Sequence, residues 1–280
     1  MLGILVGALT ASLAACVPAQ QPIADTASPS VPLPATAPPV FREITPAELA
    51  ALPEASYDAV IPGLLPFSGV VDSATVASFH LGVDAALYGS DRHTPVARLA
   101  ALNFLGENTV VVPVEIDGDW AMVLTPSRQL LPSQNGGNAP AQSAAWIRVS
   151  QLTQDADLPA RIDVSVGQQT LTISGGGQPD ASFSVGIGAP DTPTPTGVTG
   201  YLQARYLDPA QDETVYPIQL TSLHSSAADE PYGGSDGGLI GIHFQEENTG
   251  QVSHGCIRLS AEAITAVNAL PLGTLISITP

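Results

Sequence analysis

Glycine and proline punctuate this chain so often that a long helix has almost no uninterrupted run in which to form. Each occurs 26 times in 280 residues, only 12% of residues are charged, and aliphatic content is high. Short strands joined by tight turns suit such a chain better than charge-laced helices. The expected class is therefore mainly β, and the length has room for two modest β domains. The formal charge is −18, and every fixed positive charge is an arginine, because the chain has no lysine. That balance excludes a nucleic-acid partner, which needs a basic face to neutralise phosphates. It also disfavours adhesion to anionic lipid through a basic patch.

The N-terminus carries a second constraint. Leu2 to Ala15 is apolar and uncharged, and it ends Leu13-Ala14-Ala15-Cys16. Such a run is too short to span a bilayer, which takes about 20 residues, but it suits the apolar region of an export signal. Small residues before a cysteine resemble the lipobox of bacterial lipoproteins, although no Lys or Arg precedes the run. The resemblance implies that residues 1–16 are a lipoprotein signal and that Cys16 is acylated as the mature N-terminus. It also implies export to the cell envelope, with a lipid anchor in the outer side of the cytoplasmic membrane, facing the periplasm or cell wall. A plain secretory peptide and a greasy N-terminus without export are the alternatives. If Cys16 is acylated, Cys256 has no intrachain partner in an oxidising compartment, and its thiol is either buried and inert or chemically used.

Residues 17–55 read as a proline-rich tether followed by a short helix. Val17 to Val40 holds seven prolines and a single charged residue, Asp25. Thr45-Pro46-Ala47-Glu48 is a capped helix start leading to about Leu52. Residues 56–155 read as a first β domain. Val110, Val112, Val114 and Ile116 alternate, Asp117-Gly118 turns, and Trp120 to Leu124 returns. Further strands are expected at Val83 to Tyr88 and Ala145 to Val149. Asp117-Gly118-Asp119-Trp120 and Ala145-Trp146-Ile147 resemble SH3-like wall-associated modules of bacteria, which implies a small SH3-like barrel. Residues 160–280 read as a second β domain, a meander of short strands that begins at Ile162, Val164 and Val166. The Asp191-Thr192-Pro193-Thr194-Pro195-Thr196-Gly197 stretch is expected as a rigid loop. One helix follows Cys256, capped by Ser260 and stopped by Pro271, and Leu275 to Ile278 closes the chain as a strand.

The chemistry concentrates in Ile242-His243-Phe244 and Ser253-His254-Gly255-Cys256-Ile257-Arg258. A thiol is nucleophilic only as thiolate, and at an ordinary pKa of about 8.5 most of it is protonated at neutral pH. Two imidazoles and a guanidinium close in sequence supply a base and a positive field. Gly255 allows close backbone approach, so that main-chain N–H groups near the cysteine face a developing oxyanion.

This set resembles the signature of the L,D-transpeptidase family, of YkuD type, in which a strand-end His precedes a loop and Ser-His-Gly-Cys. The match extends over about Ala160 to Pro280. It implies Cys256 as nucleophile, His243 as base, and His254 as a group that orients the loop or stabilises the oxyanion. Ser253 would bond locally and Arg258 would hold the loop or meet a substrate carboxylate. The implied partner is the peptidoglycan stem peptide: a tetrapeptide is attacked at its third residue, D-alanine leaves, and a stem side-chain amine resolves the thioester. No cofactor is implied. Two departures stand out, a shortened interval between His243 and His254, and Phe244 where glycine is common, which would narrow the loop.

Rival readings use the same residues. Water as acceptor would make an L,D-carboxypeptidase, and loss of turnover would leave a wall-binding lipoprotein. Cys256 as an ordinary buried thiol is the bland alternative. A metal site built from His243, His254 and Cys256 is opposed by Arg258 and by the absence of a metal-ligand spacing. His80, His93 and His224 are expected as surface or satisfied histidines. Tyr201 and Tyr232 are expected to pack, with a cleft-lining role as the alternative, and Trp120 belongs to the first domain's core. A ligand-stacking role is the alternative for Trp120 and Trp146.

Overall fold

The computed structural model describes residues 41–71, 76–211, 213–230 and 238–280. Cys16, the 17–40 tether and Tyr232 lie outside these residues. In chain order the strands are β1 (Leu65–Phe67), β2 (Val76–Leu81), β3 (Ala85–Tyr88), β4 (Pro95–Leu99), β5 (Pro113–Asp117), β6 (Trp120–Thr125), β7 (Gln142–Arg148) and β8 (Leu152–Leu158). They continue as β9 (Ala160–Ser165), β10 (Thr170–Gly175), β11 (Ala181–Ser184), β12 (Gly186–Gly188), β13 (Val198–Asp208), β14 (Glu213–His224), β15 (Leu239–Phe244), β16 (Gly250–Ser253), β17 (Ile257–Leu259) and β18 (Leu275–Thr279). The helices α1 (Pro46–Ala50) and α2 (Ala261–Asn268) are both short. The molecule is thus mainly β, as its composition requires.

The first sheet has the order β4-β3-β7-β6-β5, with β1 added to β7. Strands β2 and β8 form a separate ribbon, and β9 to β18 build a ten-stranded sheet ordered β11-β10-β9-β18-β13-β14-β15-β17-β12-β16. The Asp117-Gly118 turn joins β5 to β6, with Gly118 at φ +59°, a conformation glycine adopts without cost. In α1, Thr45 and Glu48 form a reciprocal capping box.

The large sheet packs Ile162, Val164, Leu171, Ile240, Ile242, Ile257 and Leu259 into one core. Helix α2 covers it with Ala263, Ile264 and Val267, all fully buried. Its N-cap is Ser260, whose side chain accepts from the Ala263 N–H at 3.3 Å.

The two large sheets share a polar and apolar seam, and the described residues form one compact unit. Val112, Leu124 and Ala144 of the first sheet pack on Tyr201 and Leu275 of the second. Ser222 Oγ donates to Gln142 Oε1 at 2.6 Å, and the His224 N–H donates to the Ala141 carbonyl at 2.8 Å. Arg128, 3% exposed, sends its guanidinium across the seam to the carbonyls of Ser225, Ala228 and Asp229 at 2.9 to 3.0 Å.

The aromatic expectations resolve as packing. Tyr201 is buried between the sheets, and the cavity it lines with Tyr57, Phe104 and Gln203 is small, about 50 Å³. Trp146 is 4% exposed with the Arg92 guanidinium 3.5 Å from its ring centroid, so that face is already occupied. Trp120 departs from its expected place in the main core of the first sheet. It is half-buried in a satellite cluster against Phe41 and Tyr88, with Arg148 over its ring at 4.9 Å.

Candidate active site

Strand alternation assembles the site. Strands β15 and β17 run parallel, with Ile242 beside Ile257 and His243 beside Arg258. Since Ile240, Ile242, Ile257 and Leu259 fill the core, the residues between them, Gly241, His243 and Arg258, fall on the opposite face together with Cys256. Gly241 lies directly beside the thiol: a Cβ there would sit in ordinary contact, 3.9 Å from the Cys256 sulfur. The Gly241 N–H points at Sγ at 3.4 Å, and Sγ lies 3.9 Å from the Leu239 carbonyl. The sulfur is therefore served in both protonation states, donating to Leu239 as thiol and accepting from Gly241 as thiolate. Cys256 is 8% exposed, shielded from bulk water.

His243 occupies the next outward position along β15 after Gly241. Its Nδ1 lies 3.0 Å from the Phe244 carbonyl. A carbonyl only accepts, so Nδ1 carries the proton in the neutral ring and Nε2 carries the basic lone pair. Phe244 itself corrects an expectation. Alternation turns its ring to the core side, where it stacks on Tyr216 at 4.9 Å, so it does not narrow the loop beside the thiol.

The loop before Cys256 is tied from several sides. Ser253, 1% exposed, donates through Oγ to the Cys256 carbonyl at 2.6 Å and accepts from the Gly255 N–H at 3.2 Å. The Gly255 N–H is thus committed to shaping the loop. Gly255 has φ +114°, and a Cβ there would lie 3.0 Å from Ile240 Cδ1, so both conformation and space call for glycine. Its carbonyl accepts from Thr194 Oγ1 at 2.8 Å, and Thr194 Oγ1 in turn accepts from the Gly188 N–H at 2.9 Å. Thr194, in the loop expected to be rigid, thus braces the thiol loop, a task its local sequence does not announce. The dense Thr-Pro alternation from 192 to 196 signals only the rigidity.

His254 is exposed at the rim. Arg258 Nη1 lies 3.6 Å from Glu247 Oε2, a long pair with a carboxylate that is 72% exposed, and such pairs hold weakly. Its Nε is buried with no hydrogen-bond partner among the described residues. Among those residues no group of three His, Cys, Asp or Glu side chains is arranged to hold a metal ion.

The other histidines lie elsewhere. His80 Nδ1 meets Asp155 at 2.6 Å, the His93 backbone N–H donates to Asp91, and His224 is buried with Nε2 at 2.9 Å from the Tyr57 carbonyl. Burial holds the His224 imidazole down to about 4, opposed by its bond to Tyr57 and aided by nearby Arg128.

With this geometry in place, comparison with known proteins finds similarity over the second sheet. Residues 159–278 match the L,D-transpeptidase catalytic domain, YkuD. The match includes every residue of the thiol loop and of β15. Bacillus subtilis YkuD is 27% identical over 164 residues, covering 58% of this chain and 90% of that protein. An L,D-transpeptidase from Mycobacterium smegmatis aligns with TM-score 0.32 and 14% identity over 57% of this chain and 91% of its own. An Enterococcus faecium L,D-transpeptidase mutant aligns with TM-score 0.31 and 21% identity over 42% of this chain and 49% of its own.

Proposed function

We propose that this protein is a peptidoglycan L,D-transpeptidase with Cys256 as its nucleophile. The observation that carries the reading is the placement of the Cys256 sulfur over Gly241 on the same sheet face as His243, inside the matched domain. His243 Nε2 takes the thiol proton, and the thiolate adds to the carbonyl of the third residue of a stem tetrapeptide. Collapse of the tetrahedral adduct breaks the bond to D-alanine, whose amine leaves with the proton from His243. A side-chain amine of a second stem, deprotonated by His243, then attacks the thioester and returns the thiol.

His254, at the rim, is assigned to the loop and the developing oxyanion, Ser253 and Gly255 to the loop's shape, and Arg258 to a substrate carboxylate. The weak hold of Glu247 on that guanidinium supports its assignment. The proposal includes acylation of Cys16 and a place on the outer side of the cytoplasmic membrane, on the strength of the residues preceding Cys16. It also includes an SH3-like role for the first sheet, on its antiparallel hairpins.

Mass spectrometry after incubation with a disaccharide tetrapeptide donor tests the reaction. Wild type is expected to release D-alanine and form cross-linked stems, and Cys256→Ala to form neither. Cross-linking that survives in Cys256→Ala would sink the mechanism, and tripeptide monomers alone would make the acceptor water.

A further inference from the structure

A cleft of about 580 Å³ lies between the first sheet and the loop that precedes β13. Its walls include Phe67, Ser68, Asn138, Pro193, Thr196 and Ser226, and none of its lining side chains is ionisable. In a chain of net charge −18 a wholly neutral cleft is selective: it offers nothing to a charged ligand. Phe67 and the prolines present flat apolar surfaces. The side chains of Ser68, Asn138, Thr196 and Ser226 make no hydrogen bond among the described residues, which leaves amide and hydroxyl groups for a ligand. Apolar faces with a rim of uncharged donors and acceptors match a sugar, whose ring presents C–H faces and whose edge presents hydroxyls and amides. The volume falls in the usual range for small-molecule sites, about 300–1,000 Å³.

One wall of this cleft belongs to the reaction centre as well. Thr194 lines it while its Oγ1 donates to the Gly255 carbonyl, one residue from the nucleophile. We infer that the cleft binds the uncharged, N-acetylated glycan strand from which stem peptides hang, and so presents a stem to the thiol. The identity of the strand rests on the transpeptidase reading; the neutrality and saccharide chemistry rest on the cleft alone.

Calorimetric titration of the full chain with chitotetraose tests the binding, with tetragalacturonate as an anionic control of equal length. The wild type is expected to bind the neutral oligomer and not the anionic one. Asn138→Trp and Ser226→Trp, each filling the cleft, are expected to weaken that binding about tenfold or more. In parallel, the ratio of kcat/KM for a glycan-bearing donor over a sugar-free stem peptide is expected to fall by a similar factor in both variants. Absence of chitotetraose binding, equal binding of the anionic oligomer, or an unchanged ratio in folded variants would overturn the inference. If both variants fail to fold, the neutral-against-anionic comparison on wild type decides. If neither donor is turned over while chitotetraose binds selectively, the transpeptidase reading fails and the saccharide cleft stands.

Discussion

His224 gives the seam between the sheets a measurable acid sensitivity. Its Nε2–H donates to the Tyr57 carbonyl, while Nδ1 is buried with no hydrogen-bond partner among the described residues. Protonation would place a charge in the buried seam, close to the Arg128 guanidinium, a cost that the Tyr57 and Ser222 backbones offset only in part. Burial above all holds the group at about 4 when folded, against 6.5 when exposed. A base whose folded pKa is depressed contributes stability that is complete above the unfolded value and is lost as pH falls through the folded one. The window is therefore pH 6.5 down to about 4. At 1.36 kcal/mol per pKa unit, the loss by pH 4.5 is about 2 to 3 kcal/mol, equivalent to a fall in Tm of about 5–10 °C for a unit of this size. Urea unfolding followed by the fluorescence of Trp120 and Trp146, at pH 7.0 and 4.5, measures it. The lowered carboxylates Asp84, Asp91 and Asp229 are mostly ionised in both states above pH 4.5, so they contribute little in this window, and the exposed Glu48, held down to about 2 by Arg42 and Thr45, contributes equally in wild type and variant. His224→Gln keeps a donor for Tyr57 and cannot be protonated, and it should flatten the profile between pH 7.0 and 4.5. Equal acid sensitivity in wild type and variant would refute the reasoning.

Three further substitutions probe the supports of the site. Gly255→Ala must hold a Cβ against Ile240 Cδ1 at φ +114°, and it should lower stability by about 1–3 kcal/mol and acyl transfer by at least about tenfold, read by urea unfolding and product formation. Thr194→Val removes the bonds to Gly255 and Gly188 at nearly constant shape. It should cost about 1–3 kcal/mol and reduce kcat more than it raises KM, whereas a purely structural role would leave kcat of the folded fraction intact. Arg128→Ala strips the donor from three carbonyls and should destabilise by about 3 kcal/mol in urea titration, with Arg128→Lys recovering part of it.

The sequence was most legible where one physical rule acts alone. Alternation of Ile162 with Val164, the Asp117-Gly118 turn and the Ser260 cap each depend on neighbours a few residues away, and each appears in the structure where the residues call for it. Other features depend on distant partners. Thr194 acts through a carbonyl 61 residues away and Arg128 through carbonyls about 100 residues away, distances no local pattern records. Phe244 was misjudged because its conspicuous ring suggested obstruction, when the two-residue period of the strand had already turned it inward. Gly241 carries no signal in the sequence because what it contributes is its backbone N–H, aimed at a sulfur 15 residues away.

These long-range contacts bear on what counts as the catalytic unit. The family match begins at residue 159, yet the backbone that holds the thiol is braced from outside it. The Leu239 carbonyl and the Gly241 N–H that face the sulfur belong to the first half of β15. The segment just before that strand is pinned at the Ser225 N–H by the Gly238 carbonyl. Arg128, in the segment between β6 and β7, holds the Ser225 carbonyl and packs where a Cβ on Gly238 would lie 2.4 Å from its guanidinium. Gln142 and Ala141 pair with the end of β14 in the same region. Removing residues 41–158 would expose those carbonyls together with Tyr201 and Leu275, at a cost on the scale of a whole domain's net stability of about 5–15 kcal/mol. A fragment limited to residues 159–280 is therefore expected to lose the native chemical-shift dispersion of its β15 and β17 amides. The first sheet then has a duty to the reaction centre that is independent of any ligand it binds.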